Sequence, residues 1–359
     1  MLLIRFATIV VSLTMLSCNS QSYYYHDSEY TDIANNCMLE KVVHQADLSS
    51  LGENYNIIDM TIYDSIAVLF THDPRGIFPV INLKQLNEIG VYVSRGRAFN
   101  ELSTNSHFNE ILVESNCLKA VFYDLNKNKI FKWNISKSIE NQATIFDTII
   151  EYNSSKRLIP YADNFQLKDN IHLVTTNGLG FRGESYKYVA PEYTVNNIVS
   201  DKIERKYKIF KDSIVIVPLN NDVSKYFYAS NAMRPDKSKL AMVLSRFPQV
   251  NILDITSGLV KGSRIKGLIL NPNNQTIFYS SVCCDNNYIY ALYNNINLNE
   301  QSLISSSSHN SRIHIFDWEG NLVRDVELDG FFQILRCWNG LFYAVERASG
   351  KIYTYKLDS

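Results

Sequence analysis

The stretch Ile313-His314-Ile315-Phe316-Asp317-Trp318-Glu319-Gly320-Asn321-Leu322-Val323-Arg324 has the pattern of a β-hairpin. An apolar run ends at Asp317, polar turn residues follow, and a second apolar run begins at Leu322. Apolar runs of this length bounded by glycine, asparagine and aspartate are typical of short strands joined by tight turns. The stretch therefore predicts two antiparallel strands.

The same order of apolar strand, polar turn and second strand recurs along the chain, at residues 57–70, 118–133, 250–258 and 340–355. Apolar spacing of the helical kind is sustained almost nowhere for three turns. An open array of such hairpins would expose strand edges, whereas a radial arrangement leaves only short ones. We therefore expect an all-β, single-domain β-propeller built from four-stranded antiparallel blades.

The length of the chain limits the number of blades. Blades of four strands usually repeat every 40–50 residues or so, which leaves six, seven or eight blades open. Six blades require long loops, and we expect these at residues 94–116, 142–156, 184–206 and 294–311.

The charge of the chain argues against a nucleic-acid partner. Lys and Arg number 35 against 36 Asp and Glu, so the chain has no excess of basic residues for binding nucleic acid.

The N-terminus has the pattern of a bacterial lipoprotein signal. Arg5 precedes an apolar run from Phe6 to Leu16, which is shorter than the roughly 20 residues that span a bilayer. The small Ser17 stands directly before Cys18, the predicted site of lipidation, for example by palmitate. The alternative is an ordinary secretory signal followed by a chance cysteine.

These features divide the chain into three parts: a signal peptide at residues 1–17, a lipid-anchored tether at residues 18–40, and a propeller at residues 41–359. The predicted partner of the anchor is a membrane, through the lipid on Cys18. Residues 19–26 contain no acidic residue, which favours an outer-membrane protein facing the periplasm.

Four segments carry a resemblance to a known family: residues 94–102, 233–241, 288–293 and 315–323. They resemble the TolB-like six-bladed β-propeller lipoproteins of Bacteroides-type bacteria. The resemblance covers nearly all of the chain after the signal peptide and implies six blades and a place in the cell envelope. It implies no particular reaction.

Candidate binding residues lie in two predicted loops. Propellers usually bind ligands on loops at one face of the central channel. Arg95, Arg97, Arg182 and Tyr186 supply charge-assisted donors and a ring for a carboxylate, a sugar or a peptide. The alternative is that they are solvated loop residues.

The six cysteines do not predict a disulfide framework. If Cys18 is lipidated, five remain, and an odd number leaves at least one of them without a disulfide partner. The adjacent Cys283 and Cys284 are candidates for a vicinal disulfide, and the alternative is two small apolar residues within a strand.

No cofactor or metal is predicted. Residues 178–183 match G-x-G-x-x-G, but a strand-like pattern and Pro191 follow where a dinucleotide site needs a helix. His309 and His314 lie five apart, so on a strand they point to opposite faces.

No catalytic residue is predicted either, because the chain has no G-x-S-x-G elbow and no distinctive carboxylate pair. The sequence favours a binding or scaffold module for a protein, peptide or glycan. The alternative is an envelope hydrolase or lyase whose site several blades assemble at the channel.

Overall fold

The computed structural model describes residues 30–34, 37–52, 55–103, 108, 110–151, 166–169, 172–177, 192–200, 202–209, 228–266, 276–297 and 309–357. Nearly all regular structure in these residues is β-strand. The helices described there are short: α1 (Ser49–Gly52) and α2 (Ile135–Asn141). No helix in the described part of the chain has the length and apolar character needed to cross a membrane.

The described strands form six sheets, which we number in chain order. Sheet 1 contains β4 (Asp59–Tyr63), β5 (Ile66–Phe70), β6 (Phe78–Asn82) and β7 (Asn87–Tyr92), and sheet 2 contains β8 (Leu112–Glu114), β9 (Cys117–Asp124), β10 (Lys129–Asn134) and β11 (Phe146–Glu151). Sheet 3 contains β12 (Gln166–Leu167), β13 (His172–Asn177), β14 (Glu192–Asn197) and β15 (Lys202–Lys208).

Sheet 4 is built on β16 (Ala229–Met233), β17 (Lys239–Leu244), β18 (Gln249–Asp254) and β19 (Val260–Ile265). Sheet 5 is built on β20 (Thr276–Cys284), β21 (Tyr288–Asn297), β22 (Arg312–Asp317) and β23 (Leu322–Glu327). Sheet 6 is built on β24 (Ile334–Trp338), β25 (Leu341–Glu346) and β26 (Lys351–Lys356). Within each sheet, consecutive strands are antiparallel neighbours.

Three N-terminal strands complete the last three sheets. β1 (Tyr30–Ile33) pairs in parallel with β19, and β2 (Leu39–Lys41) pairs in parallel with β23. β3 (Ala46–Asp47) pairs antiparallel with β26. The prediction of four-stranded antiparallel blades is therefore wrong for sheets 4 and 5, because an added strand covers an outer edge that would otherwise be unpaired. β1 and the first two residues of β2 fall within the predicted tether.

The apolar core consists of clusters shared by neighbouring sheets. Each successive pair of sheets, including the pair formed by sheets 6 and 1, buries side chains of both partners against each other. In order from sheets 1 and 2 to sheets 6 and 1, representative members from the two sheets of each cluster are Phe78 and Trp133, Val121 and Leu167, Tyr193 and Met242, Val243 and Ile289, Leu292 and Phe342, and Val345 and Leu69. The last cluster closes the arrangement, so the chain folds as a β-propeller.

Aspartate ends the second or third strand of several sheets and shapes the turn that follows. The carboxylates of Asp124, Asp254 and Asp317 each accept a hydrogen bond from the backbone N–H two residues on, at 3.0, 2.9 and 3.0 Å. Gly258 and Gly320, with φ of +78° and +85°, supply the left-handed conformation in two of these turns. The predicted hairpins at these positions are confirmed.

The prediction of long loops is wrong in three places, where the structure has strands. β8 lies within residues 94–116, β11 within residues 142–156, and β14 within residues 184–206. The outer strand β11, and the outer strand β15, which begins within residues 184–206, have mostly exposed or half-exposed side chains. They lack the continuous apolar run by which inner strands are recognised.

A buried polar network lies within sheet 5. The Tyr279 hydroxyl and His314 Nδ1 are 2.9 Å apart, and His314 Nε2 is 3.7 Å from Asp325 Oδ1. Arg312 Nε donates to the same carboxylate oxygen at 2.8 Å. Burial, and secondarily the charge of Arg312, lower the pKa of His314 to about 3. His314 is therefore neutral in the folded protein at neutral pH.

We expect this neutral histidine to make stability depend on pH. The unfolded chain takes up a proton on His314 near pH 6.5, whereas the folded chain does so only near pH 3. The contribution of neutral His314 to the free energy of unfolding is therefore complete above about pH 6.5. As the pH falls below this value, the free energy of unfolding decreases by up to about 1.4 kcal/mol per pH unit. Urea unfolding at pH 7, 6, 5 and 4 measures this slope.

The variant His314→Gln should show a smaller slope, and the exposed His72→Gln should retain the wild-type slope. Equal slopes for wild type and His314→Gln would contradict the assignment.

Candidate functional site

The first strands of the six sheets surround a central channel. A cavity of about 290 Å³ in this channel is lined from all six sheets. The residues that represent them, in order, are Tyr63, Glu110, Gln166, Met233, Cys283 and Trp338. Glu110 directly precedes β8, and the other five belong to β4, β12, β16, β20 and β24.

Arg336 joins three of these inner strands. Its guanidinium forms an ion pair with Asp59 on β4, and both side chains are only 13% exposed. Its Nε donates to the Met60 carbonyl at 2.6 Å, and its Nη1 donates to Ser281 Oγ on β20 at 2.9 Å. The positive charge that Arg336 brings to the channel is thus neutralised and fixed in position.

A second ion pair crosses the cavity wall between sheets 2 and 4. Lys237, in the turn after β16, pairs with one carboxylate oxygen of Glu110. The other oxygen, Glu110 Oε1, is buried and has no hydrogen-bond partner among the described residues. This oxygen is an acceptor without a donor.

Two aromatic rings line the cavity where sheets 6 and 1 meet. The ring centroids of Tyr63 and Trp338 are 4.3 Å apart, with an angle of 47° between the ring planes. The indole Nε1 of Trp338 is buried and, within the described ranges, has no acceptor. The wall therefore combines flat apolar surface with an unused donor.

Three thiols also line the cavity, those of Cys283, Cys284 and Cys337, and all three are free. Cys284 Sγ donates to the Met233 carbonyl at 3.2 Å, and Cys337 Sγ donates to the Cys284 carbonyl at 3.6 Å. Burial raises the pKa of the Cys283 and Cys284 thiols well above the usual value. These two thiols are protonated at neutral pH and are weak nucleophiles.

The predicted binding residues lie elsewhere or outside the described residues. Arg95 and Arg97 are exposed in the loop after β7, and neither lines the cavity. The Arg95 guanidinium lies 3.1 Å from His72 Nδ1. Arg182, Tyr186, Cys18 and residues 178–183 fall outside the described ranges.

The described residues hold no group of three or more His, Cys, Asp or Glu side chains arranged to bind a metal ion. The cavity's polar groups include two charge pairs, the thiols, and the side chains of Gln166 and Asn231. Gln166 Nε2 donates to the Asn231 carbonyl at 3.2 Å.

The sequence matches no protein-family model and no curated protein. Among solved structures, the chain is similar to BamB from Moraxella catarrhalis, with 11% identity over 83% of this chain and 84% of that chain and a TM-score of 0.40. It is similar to regucalcin from Agrobacterium tumefaciens, a calcium-binding protein, with 10% identity over 88% and 95% and a TM-score of 0.48. Its similarity to a streptogramin B lyase is 10% identity over 85% and 84%, with a TM-score of 0.42.

We expect the Asp59–Arg336 pair to couple sheets 1 and 6 energetically. Arg336→Met leaves the Asp59 carboxylate without its partner, which should lower the free energy of unfolding by about 3 kcal/mol. In the double variant Asp59→Asn/Arg336→Met, the loss should be smaller than the sum of the single losses by about 1–3 kcal/mol. Chemical denaturation of the four proteins measures the coupling.

The exposed pair Asp64–Lys84 provides a matched control. Lys84→Met should change the free energy of unfolding by less than about 1 kcal/mol. Additive effects of Asp59→Asn and Arg336→Met would show that the two strands are not coupled by this contact.

Proposed function

We propose that this protein is a lipid-anchored binding module of the bacterial cell envelope that holds part of a protein, peptide or glycan ligand in its channel cavity. One observation carries the proposal. Two residues of the cavity wall, Glu110 and Trp338, each carry a buried polar atom without a partner among the described residues, the acceptor Oε1 and the donor Nε1, and Trp338 also belongs to an aromatic pair.

Such groups favour a ligand with matching chemistry. A buried polar atom without a partner costs about 1–3 kcal/mol, and a ligand that supplies the partner removes that cost. A hydroxyl or amide group supplies both a donor and an acceptor, and a sugar ring or apolar side chain packs on Tyr63 and Trp338. The volume, about 290 Å³, suits one such group rather than a whole chain segment.

The alternative function, an envelope hydrolase or lyase, has less support from the channel. The cations Arg336 and Lys237 are each paired with a carboxylate. The buried thiols of Cys283 and Cys284 are held in the protonated form. These groups are arranged to fix the channel wall rather than to exchange protons with a substrate.

We also propose that each of the six sheets is one blade, in keeping with the resemblance to the TolB-like lipoproteins of Bacteroides-type bacteria. The support is that consecutive sheets share apolar clusters and that sheets 6 and 1 share the last. The coupling between Asp59 and Arg336 tests the contact that closes this ring.

The proposed address is the outer membrane, with the propeller facing the periplasm. Its support is the sequence from Arg5 to Cys18, in which a basic residue, an apolar run and a small residue precede the cysteine. Acyl chains on Cys18 would anchor the protein because each buried methylene contributes about 0.8 kcal/mol.

Cys18→Ser should abolish incorporation of labelled palmitate and move the protein from the membrane to the soluble fraction. Cys37→Ser, a cysteine beyond the predicted cleavage site, is the control and should keep both properties. Protease added to intact cells should leave the wild-type protein uncut if it faces the periplasm. A membrane-bound, labelled Cys18→Ser variant would refute the anchor.

The binding site is tested by melting-temperature shifts of the full chain with chitooligosaccharides, muropeptides and random tetrapeptides, since a ligand of the folded state raises stability. We expect a saturable shift with one of these probes. Trp338→Ala and Glu110→Gln should each weaken binding by about 5- to 100-fold. Arg97→Ala should leave it unchanged.

Weaker binding in Arg97→Ala but not in Trp338→Ala would move the site to the loop after β7. A wild-type protein that responds to no probe would contradict a small-ligand site in the channel.

A further inference from the structure

Two of the channel thiols lie on facing strands of neighbouring sheets. Cys283 belongs to β20 in sheet 5, and Cys337 belongs to β24 in sheet 6. Both line the cavity, and both pack in the apolar cluster that these two sheets share.

The register between β20 and β24 brings these two side chains together. Ser281 Oγ accepts a hydrogen bond from the Leu335 backbone N–H at 3.1 Å and donates to the Leu335 carbonyl at 3.2 Å. Residues two apart on a strand face the same side. Cys283 therefore lies on the same face of β20 as Ser281, and Cys337 lies on the same face of β24 as Leu335. Burial, and secondarily the neighbouring Cys337 thiol, raise the pKa of the Cys283 thiol.

Cys284 is directed to the opposite side of β20. Its thiol donates to the Met233 carbonyl of sheet 4, and its side chain packs in the cluster shared by sheets 4 and 5. Cys283 and Cys284 are paired in regular register with Tyr290 and Ile289. A vicinal disulfide would require β20 to leave this register, so the facing thiol of Cys337 is the better partner for Cys283.

We propose that Cys283 and Cys337 form a reversible disulfide that links the inner strands of sheets 5 and 6 within the channel cavity. The facing side chains meet the directional requirement of such a bond. The proposal depends on the register of the two strands and is independent of the ligand proposed for the cavity.

A low-molecular-weight disulfide, such as oxidised glutathione, serves as the oxidant by thiol–disulfide exchange. Cys337 is the more exposed thiol of the pair. Its thiolate attacks one glutathione sulfur, a mixed disulfide forms, and one reduced glutathione leaves with a proton. The Cys283 thiol then gives up its proton, attacks the Cys337 sulfur and releases the second reduced glutathione. Two protein thiols are oxidised and one glutathione disulfide is reduced.

The test uses the full chain, first reduced and then equilibrated with oxidised glutathione under native conditions. Free thiols are blocked by alkylation, and the tryptic peptides are identified by mass spectrometry. Trypsin cuts after Lys266, Arg312, Arg336 and Arg347, so Cys283 and Cys284 share one peptide and Cys337 lies in another. We expect these two peptides to be joined and to separate again on reduction.

Cys284→Ser should retain the joined peptides, whereas Cys283→Ser and Cys337→Ser should both lose them. Circular dichroism establishes that each variant is folded. A bridge within the first peptide, a joined species that persists in Cys283→Ser, or unlinked peptides in the oxidised wild type would each overturn the proposal.

Discussion

The structure depends on the burial of apolar side chains between consecutive sheets. No single sheet has enough apolar neighbours of its own, because each exposes both faces until the next sheet covers it. The cluster of Met60, Leu69 and Val345 is decisive, since it joins the last sheet to the first. Without this cluster, two apolar sheet faces would remain in water, which costs about 25 cal/mol of free energy per Å² of exposed apolar surface. The closed ring removes both faces at once.

Closure of the ring also determines which polar groups meet in the channel wall. The first strands of the sheets converge, so groups far apart in sequence, such as Asp59 and Arg336, meet across the wall. Most polar groups of the channel wall form ion pairs or hydrogen bonds with groups on neighbouring inner strands. Glu110 Oε1 and Trp338 Nε1 are exceptions among the described residues. The channel is therefore a stabilising contact surface that retains a small amount of unused hydrogen-bonding capacity.

The sequence predicts the middle strands of sheets 2 and 5 better than outer strands such as β11 and β15. Strands such as β9 and β22 are buried on both faces and read as apolar runs ending in aspartate. β15 exposes nearly every side chain and has no such pattern. The site was missed for a related reason: Glu110, Lys237 and Trp338 lie 101 or more positions apart, and only the ring brings them together. Donor-rich loops such as that of Arg95 are conspicuous in sequence, but the cavity is built elsewhere.

The pairing of β3 with β26 has a consequence for biogenesis. Ala46 and Thr354 are 308 positions apart, and their contact completes sheet 6. At about 5–20 residues per second, synthesis separates the two strands by roughly 15–60 s. During synthesis β3 must stay unpaired until β26 has been made, with its edge open to wrong partners. A chain truncated before β26 would leave β3 without its partner strand. Sheet 6 can therefore be completed only after β26 has been made.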